Sequence, residues 1–133
     1  MNRWGIPPWL EKKVKNRDKT CIYCGIQMLE QMPPGGPRKA VATWEHIIND
    51  ASIVNSENIA RCCFACNSSK GTKKLSDWMN SNYCKRHGIN KDTVAEIVKQ
   101  VLKIERETDV RNAFVADRKN PHPGQSISDK GEI

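Results

Sequence analysis

The chain has 133 residues, of which 38% are hydrophobic, and its formal net charge is +7. This length suits one domain with a modest core, and the low hydrophobic share predicts that the core needs a metal or another crosslink. No apolar run approaches the length of a transmembrane helix, and none follows Met1 as a secretory signal would. We therefore expect a cytoplasmic protein with reduced thiols and no membrane partner.

The first predicted element is a short amphipathic helix. Pro7 and Pro8 preset its first turn, and it is expected to end near residues 18–19. Residues 1–20 carry six lysines and arginines against Glu11 and Asp18. A basic surface of this kind suits a polyanion, most simply nucleic acid, although a solvated charged surface is the alternative.

Two Cys-x-x-Cys pairs predict a zinc clamp. Cys21 and Cys24 form the first pair, and Cys63 and Cys66 form the second. Each two-residue spacer lets both sulfurs face one tetrahedral ion. We therefore predict a structural Zn²⁺ held by four thiolates, which contribute −4 against +2 for the ion and lower the net charge from +7 to +5. Free buried cysteines or a redox pair are the alternatives, but a thioredoxin-like motif would need a β-α-β setting that the sequence lacks.

Two further cysteines fall outside these pairs. Cys62 is expected to pack inward from a strand, because choosing Cys63 preserves the two-residue spacer. Cys84 is expected to be a core or surface thiol, and His87 lies near it, so an accessory metal role is the alternative there.

The remaining elements follow in chain order. Residues 31–39 predict a flexible loop, residues 41–48 a strand and residues 58–62 a short returning strand. A short helix is predicted from Cys63 to Lys70, with Gly71 as its C-cap, and a further helix begins at Thr72 or Ser76.

The clearest helix is the last one. Its apolar residues recur at helical spacing: Val94, Ile97, Val98, Val101 and Leu102. Thr93 and Glu96 match a capping box at its start. We predict a helical extension over residues 90–118 and a disordered tail over residues 120–133, which contains His122.

The cysteine pairs and the residues between them resemble the HNH endonuclease family. Its pattern runs Cys-x-x-Cys-Gly, then an acidic residue before His and Ile or Val, then a central Asn, and then Cys-x-x-Cys-Asn-x-x-Lys-Gly. The matching residues are Cys21, Cys24, Gly25, Glu45, His46, Ile47, Asn58, Cys63, Cys66, Asn67, Lys70 and Gly71. The match covers residues 17–78. It departs from the family where Asn49 and Asp50 replace a common Pro and Gly, and where Glu45 stands in place of the commoner Asp.

The resemblance implies an α+β fold: a small zinc-stapled ββα-metal core over residues 17–79, with flanking N-terminal and C-terminal helices. This core would lie in a single nuclease domain of residues 1–119. The implied activity is hydrolysis of DNA phosphodiesters that leaves 5′-phosphate and 3′-hydroxyl ends. A short stand-alone chain of this kind resembles the family members that occur in phages, mobile elements and restriction systems.

The resemblance also implies a role for each site residue. His46 would be the general base that deprotonates the attacking water, and histidine suits this task because it titrates near neutral pH. Glu45 and Asn67 would hold Mg²⁺ or another divalent cation. Asn58 would support catalysis by orienting the loop that carries His46. Because side chains alternate along a strand, Glu45 and His46 can share a site only if the strand ends or twists there.

Basic residues within and after the second predicted strand are expected to contact DNA phosphates, and these are Arg61, Lys70, Lys73 and Lys74. A solvated face is the alternative. The four tryptophans are expected to belong to the core rather than to stack on bases: Trp4, Trp9, Trp44 and Trp78.

Two other functions compete with cleavage. A non-catalytic zinc module could bind DNA or RNA through its basic face, but it leaves Glu45, His46, Asn58 and Asn67 without a task. An assembly protein could instead dock a partner through the last helix, whose apolar stripe suits a core or a dimer interface. A homodimer would be needed for concerted cleavage of both DNA strands.

Overall fold

The protein was analysed as a computed structural model, which describes the backbone of residues 2–119 and the side chains of residues 2–108. A boundary between Leu102 and Lys103 divides the chain into two units. The described part is a mixed α and β fold, as predicted. Its elements in chain order are α1 (Pro8–Arg17), β1 (Ala42–His46), β2 (Ile59–Cys63), α2 (Phe64–Lys70), α3 (Leu75–Met79), α4 (Asn82–Arg86) and α5 (Glu96–Lys119).

The two strands form an antiparallel hairpin. Residues Ala42, Glu45 and His46 of β1 pair with Cys63, Ala60 and Ile59 of β2, in that order. Paired residues share a face of the hairpin, and successive residues along a strand point to opposite faces. Glu45 therefore lies on one face, and His46, the last residue of β1, lies at a position of the opposite face.

Helix α1 packs against one face of the hairpin. Pro8 begins the helix, where its missing N–H is harmless, and the helix ends before Asp18 as the sequence predicts. A small apolar cluster lies beneath it, with Trp44 and Val54 packed at its margin and with fully buried members Ile6, Leu10, Val14 and Ile59.

Helix α2 begins directly after β2. Cys63 is its N-cap, and the Cys63 sulfur accepts the backbone N–H of Cys66 at 3.4 Å. Gly71 ends the helix with φ of 53°, a left-handed conformation that favours glycine, so the predicted C-cap is confirmed. The short α3 that follows buries Leu75 and Trp78.

Two helices, α4 and α5, differ from the sequence prediction. Helix α4 was not predicted, because five residues are too few to show a helical period. Helix α5 begins at Glu96, so the capping box predicted at Thr93 is wrong. The Thr93 hydroxyl instead accepts the N–H of Asn90 at 2.9 Å and donates within the preceding turn.

The main core surrounds the cysteine pairs. It joins the first pair, the hairpin, α2, α3 and the first turns of α5, and Trp78 and Cys84 are fully buried within it. No helix in the described part of the chain is both long and apolar enough to cross a bilayer. The predicted tail with His122 lies outside the described residues.

Candidate metal centre and reactive site

The four predicted thiols lie together. The sulfurs of Cys21, Cys24, Cys63 and Cys66 all lie within 4.8 Å of one another, and the Cys24 and Cys63 sulfurs are 3.7 Å apart. Tetrahedral zinc with Zn–S bonds of about 2.3 Å separates its sulfurs by about 3.8 Å. The predicted cluster is therefore confirmed, and its four cysteines can hold a metal ion such as zinc.

Backbone N–H groups aim at the first sulfur of each pair. Cys21 Sγ accepts the N–H of Tyr23 at 3.4 Å and that of Cys24 at 3.5 Å. Cys63 Sγ accepts the N–H of Cys66 at 3.4 Å. Hydrogen bonds to sulfur favour the thiolate, which is the form that binds metal.

The thiols compete for protons when no cation offsets their charge. Hydrogen bonds from Cys63 and Cys66 lower the pKa of Cys21 to about 2. The same contact with Cys21 raises the pKa of Cys63 to about 12, and contacts with Cys21 and Cys63 raise the pKa of Cys66. One thiolate thus forms at the expense of its neighbours, so zinc binding has to release protons and weakens in acid.

The other two cysteines stay outside the cluster. Cys62 is fully buried, as predicted, and burial raises the pKa of its thiol, which lies 3.6 Å from Thr43 Oγ1. Cys84 is also buried. Among the described residues, the four cysteines are the only close group of three or more potential ligands. His87 instead packs against Tyr83, with ring centroids 4.2 Å apart.

Glu45 lies in the interior, where two side chains contact one carboxylate oxygen. The Tyr23 hydroxyl donates to Glu45 Oε2 at 2.6 Å, and Lys70 Nζ lies 3.0 Å from the same oxygen. Burial raises the pKa of Tyr23, and the charge of Glu45 raises it further, so the hydroxyl keeps its proton. We call these three residues the Tyr23–Glu45–Lys70 network.

The network corrects one predicted nucleic-acid contact. Lys70 is only 1% exposed, and its ammonium group faces Glu45 rather than solvent. A cation held in this way does not reach a phosphate. Tyr23 was not predicted as a site residue, although a tyrosine between two zinc-binding cysteines has a hydroxyl that must find a buried partner.

Arg61 corrects a second predicted nucleic-acid contact. Arg61 is only 6% exposed. Its Nη1 donates to both carboxylate oxygens of Glu30, at 3.0 and 2.8 Å. Its guanidinium group lies 5.0 Å from the centre of the Trp44 ring. Arg61 therefore joins β2 to the segment before β1. Lys73 and Lys74 are exposed beyond α2, and their contact with phosphates stays a prediction.

Asn67 contacts β1 at the two residues just before Glu45. Its Nδ2 donates to Thr43 Oγ1 at 2.8 Å and to the carbonyl of Trp44 at 3.1 Å. Its amide oxygen is therefore the atom left for a cation. Asn67 and Lys70 are three residues apart in α2, which places them on neighbouring turns of one helix face. Glu45, which contacts Lys70, thus lies near the face of α2 that carries Asn67.

His46 ends β1 and begins the loop to β2. Its Nε2 is buried and has no hydrogen-bond partner. The loop is held by Asn58, whose Oδ1 accepts the N–H of Ile48 at 2.6 Å and whose Nδ2 donates to the carbonyls of Ile48 and Ile53 at 3.2 and 3.1 Å. The Asn58 side chain therefore ties both sides of this loop to the start of β2.

Asp50 lies in the loop that follows His46. Hydrogen bonds from Ser52 lower the pKa of Asp50, and the charge of His46 lowers it further. Asp50 thus stabilises the turn at residues 50–53 through its side chain and its carbonyl, which accepts the N–H of Ile53 at 3.0 Å. None of the described contacts joins His46 directly to Glu45 or Asn67.

Models of protein families, curated proteins and solved structures were compared with this chain, and none matches it. The fold and the site therefore define its class only coarsely. It is a mixed α and β domain with a four-cysteine centre capable of holding a metal ion.

Proposed function

We propose that this protein is an HNH-type endonuclease that hydrolyses DNA phosphodiester bonds. The observation that carries the proposal is His46 Nε2, a buried nitrogen without a hydrogen-bond partner. A buried polar atom left unpaired costs about 1–3 kcal/mol, so its retention needs a reason. A base that must accept a proton from water supplies that reason.

The local architecture supports this role. Strands β1 and β2 and helix α2 follow one another in the order of a ββα unit, and His46 stands where β1 ends. Asn58 fixes the loop after His46 through three hydrogen bonds to its backbone. A fixed loop holds the imidazole in place during proton transfer, so Asn58 acts as a positioning residue.

The proposed reaction begins with water. His46 Nε2 takes one proton from it, and the hydroxide forms a bond to phosphorus as the bond from phosphorus to the 3′ oxygen breaks. The 3′ oxygen takes a proton from solvent water, which leaves 3′-hydroxyl and 5′-phosphate ends, and His46 later returns its proton to solvent. The described conformation shields Nε2 from solvent, so DNA binding has to bring the water to this nitrogen.

Glu45 and Asn67 are the residues that would hold a divalent cation such as Mg²⁺. Their donor atoms fit, because Asn67 has a free amide oxygen and the contacts of Tyr23 and Lys70 fall on only one of the two carboxylate oxygens of Glu45. Lys70 competes with such a cation for Glu45, so the cation must either share the carboxylate with the Lys70 ammonium group or displace it. When bound, the cation would offset the negative charge that develops on the phosphate.

The zinc cluster would have a structural part in this function. Four cysteine ligands leave no open position for water, which is typical of structural rather than catalytic zinc. The cluster joins the first cysteine pair to β2 and α2. Zinc would therefore fix the positions of the hairpin and of Asn67.

The test is nicking of supercoiled plasmid by the zinc-loaded protein with Mg²⁺. We expect His46→Ala to lower the rate by at least about 100-fold while zinc content and DNA binding persist. His87→Ala is the matched control, because His87 lies outside the proposed site and should retain the rate. Cleavage by His46→Ala at the wild-type rate would overturn the mechanism.

A second candidate is a zinc module that binds DNA or RNA without cutting it. The observation in its favour is that Lys70 already neutralises Glu45. The two functions are distinguished by measuring DNA binding and nicking with and without added Mg²⁺, while metal analysis checks that zinc is retained. Binding without any metal-dependent nicking on supercoiled, linear or single-stranded DNA would favour the module.

A further inference from the structure

Two tryptophans near the amino terminus are exposed, contrary to the expectation that they belong to the core. Trp9 is 63% exposed and Trp4 is 44% exposed, whereas Trp78 is fully buried. The Arg3 guanidinium lies 4.4 Å from the centre of the Trp4 ring, so one face of Trp4 already has a partner. No ring or cation contact is described for Trp9.

Exposed polar residues surround Trp9 on α1. Lys12, Lys13 and Asn16 follow Trp9 by three, four and seven residues, which places all four side chains on one face of the helix. Leu10 and Val14, which pack into the interior, lie on the opposite side. We call Trp9, Lys12, Lys13 and Asn16 the outer face of α1.

No carboxylate among the described residues pairs with the lysines of this face. Of the two acids in α1 and its cap, Glu11 accepts the Nδ2 donor of Asn2 at 2.6 Å, and the carboxylate of Asp18 is bound by Arg17 at 2.7 Å. Among the described contacts, Lys12 and Lys13 have no carboxylate partner. The outer face of α1 therefore presents two cations beside an uncovered indole ring.

A shallow depression borders the same face. It has a volume of about 310 Å³ and is lined by Pro8, Glu11, Lys12, Lys15 and Asn16. Lys12 and Asn16 belong to both surfaces. Their ammonium and amide groups offer hydrogen-bond donors to an anionic group beside the ring.

We propose that the outer face of α1 binds single-stranded nucleic acid, with Trp9 stacked on a base and with Lys12 and Lys13 on the adjacent phosphates. Duplex bases stack on one another inside the helix, so a tryptophan on a convex helix surface reaches only unpaired bases. A protein or peptide partner would have to be acidic and is an outcome of the test. The proposal does not depend on cleavage and applies equally to a nuclease and to a binding module.

The experiment measures binding of the full-length, zinc-loaded chain to a labelled oligothymidine and to a duplex of equal length. Trp9→Ala is expected to weaken oligothymidine binding about tenfold and to leave duplex binding unchanged. The double substitution Lys12→Glu with Lys13→Glu should weaken oligothymidine binding and reduce its dependence on salt concentration. Circular dichroism and zinc content confirm that each variant is folded.

The matched control reverses two exposed charges on α4, Lys85→Glu with Arg86→Glu, and should leave oligothymidine binding within about twofold of wild type. Unchanged oligothymidine binding by Trp9→Ala would refute the proposal. An equal loss on oligothymidine and duplex would refute base stacking. Equally tight, Trp9-dependent binding of an acidic peptide would assign this face to a protein partner instead.

Discussion

The two faces of the β1–β2 hairpin use buried charge in different ways. On one face, Glu45 and Lys70 form an ion pair whose side chains are 6% and 1% exposed. On the other, Arg61 is equally buried, but its partner Glu30 has a side chain that is 67% exposed. The first pair is enclosed by protein, whereas the second reaches the solvent.

This difference determines what each pair contributes. An enclosed pair has given up its hydration, so either ion becomes costly when its partner is removed. A pair with one exposed member is screened by water, and the loss of that member costs little. The Tyr23–Glu45–Lys70 network therefore holds α2 to the hairpin, while Arg61 contacts the Trp44 ring as well as Glu30.

The largest expected effect is loss of zinc, which removes the support of both faces. Cys21→Ser or Cys66→Ser should lose the ion and much of the fold, because apparent binding energies of structural zinc reach about 10 kcal/mol or more. Metal analysis and circular dichroism measure the result, with Cys84→Ala as control. Native protein without stoichiometric zinc would remove the structural-zinc interpretation.

The next largest effect should come from the enclosed pair. Lys70→Met leaves the Glu45 carboxylate buried without its cation and should lower the free energy of unfolding by about 3–5 kcal/mol. Adding Glu45→Gln removes the unpaired charge and should restore part of that loss. Urea unfolding of both single variants and the double variant measures the coupling, and additive losses would show that the pair does not interact.

The screened pair should respond far less. Glu30→Gln is expected to lower the free energy of unfolding by less than about 1 kcal/mol, because water replaces the lost contact. The same urea experiment measures this value beside that of Lys70→Met. A Glu30 effect as large as the Lys70 effect would contradict the difference between the two faces.

The smallest effect concerns pH. Hydrogen bonds from Arg61 lower the pKa of Glu30 below its ordinary value of 4.5. A lowered carboxyl pKa stabilises the fold above pH 4.5, and this stabilisation is lost as the pH falls through the pKa of the folded state. The difference in unfolding free energy between wild type and Glu30→Gln should therefore shrink on acidification from pH 6 to pH 3. A constant difference would show that the carboxylate charge does not matter.

Local patterns predicted much of the fold and the metal centre. The spacing of Cys21, Cys24, Cys63 and Cys66 predicted a cluster that the structure confirms. The prolines located the start of α1, and Gly71 located the end of α2. These predictions succeed because a zinc-binding turn, a first helical turn and a left-handed cap each depend on a few consecutive residues.

The alternation of side chains also carried information about the reactive site. It predicted that Glu45 and His46 leave β1 in opposite directions unless the strand ends or twists, and β1 does end at His46. The catalytic roles of His46, Asn58 and Asn67 stay predictions. The sequence could not predict the hydrogen bond of Asn67 to Thr43, because it joins residues that are 24 positions apart in the chain.

The sequence by itself determined the cysteine spacing, the net positive charge and the positions of α1, the hairpin and α2. Only the tertiary structure decided which charged and aromatic side chains face solvent. Lys70 and Arg61 are buried beside acids from distant segments, while Trp9 is exposed although its residue type favours the core. The physical reason is that burial depends on neighbours brought together by folding, and no local pattern specifies them.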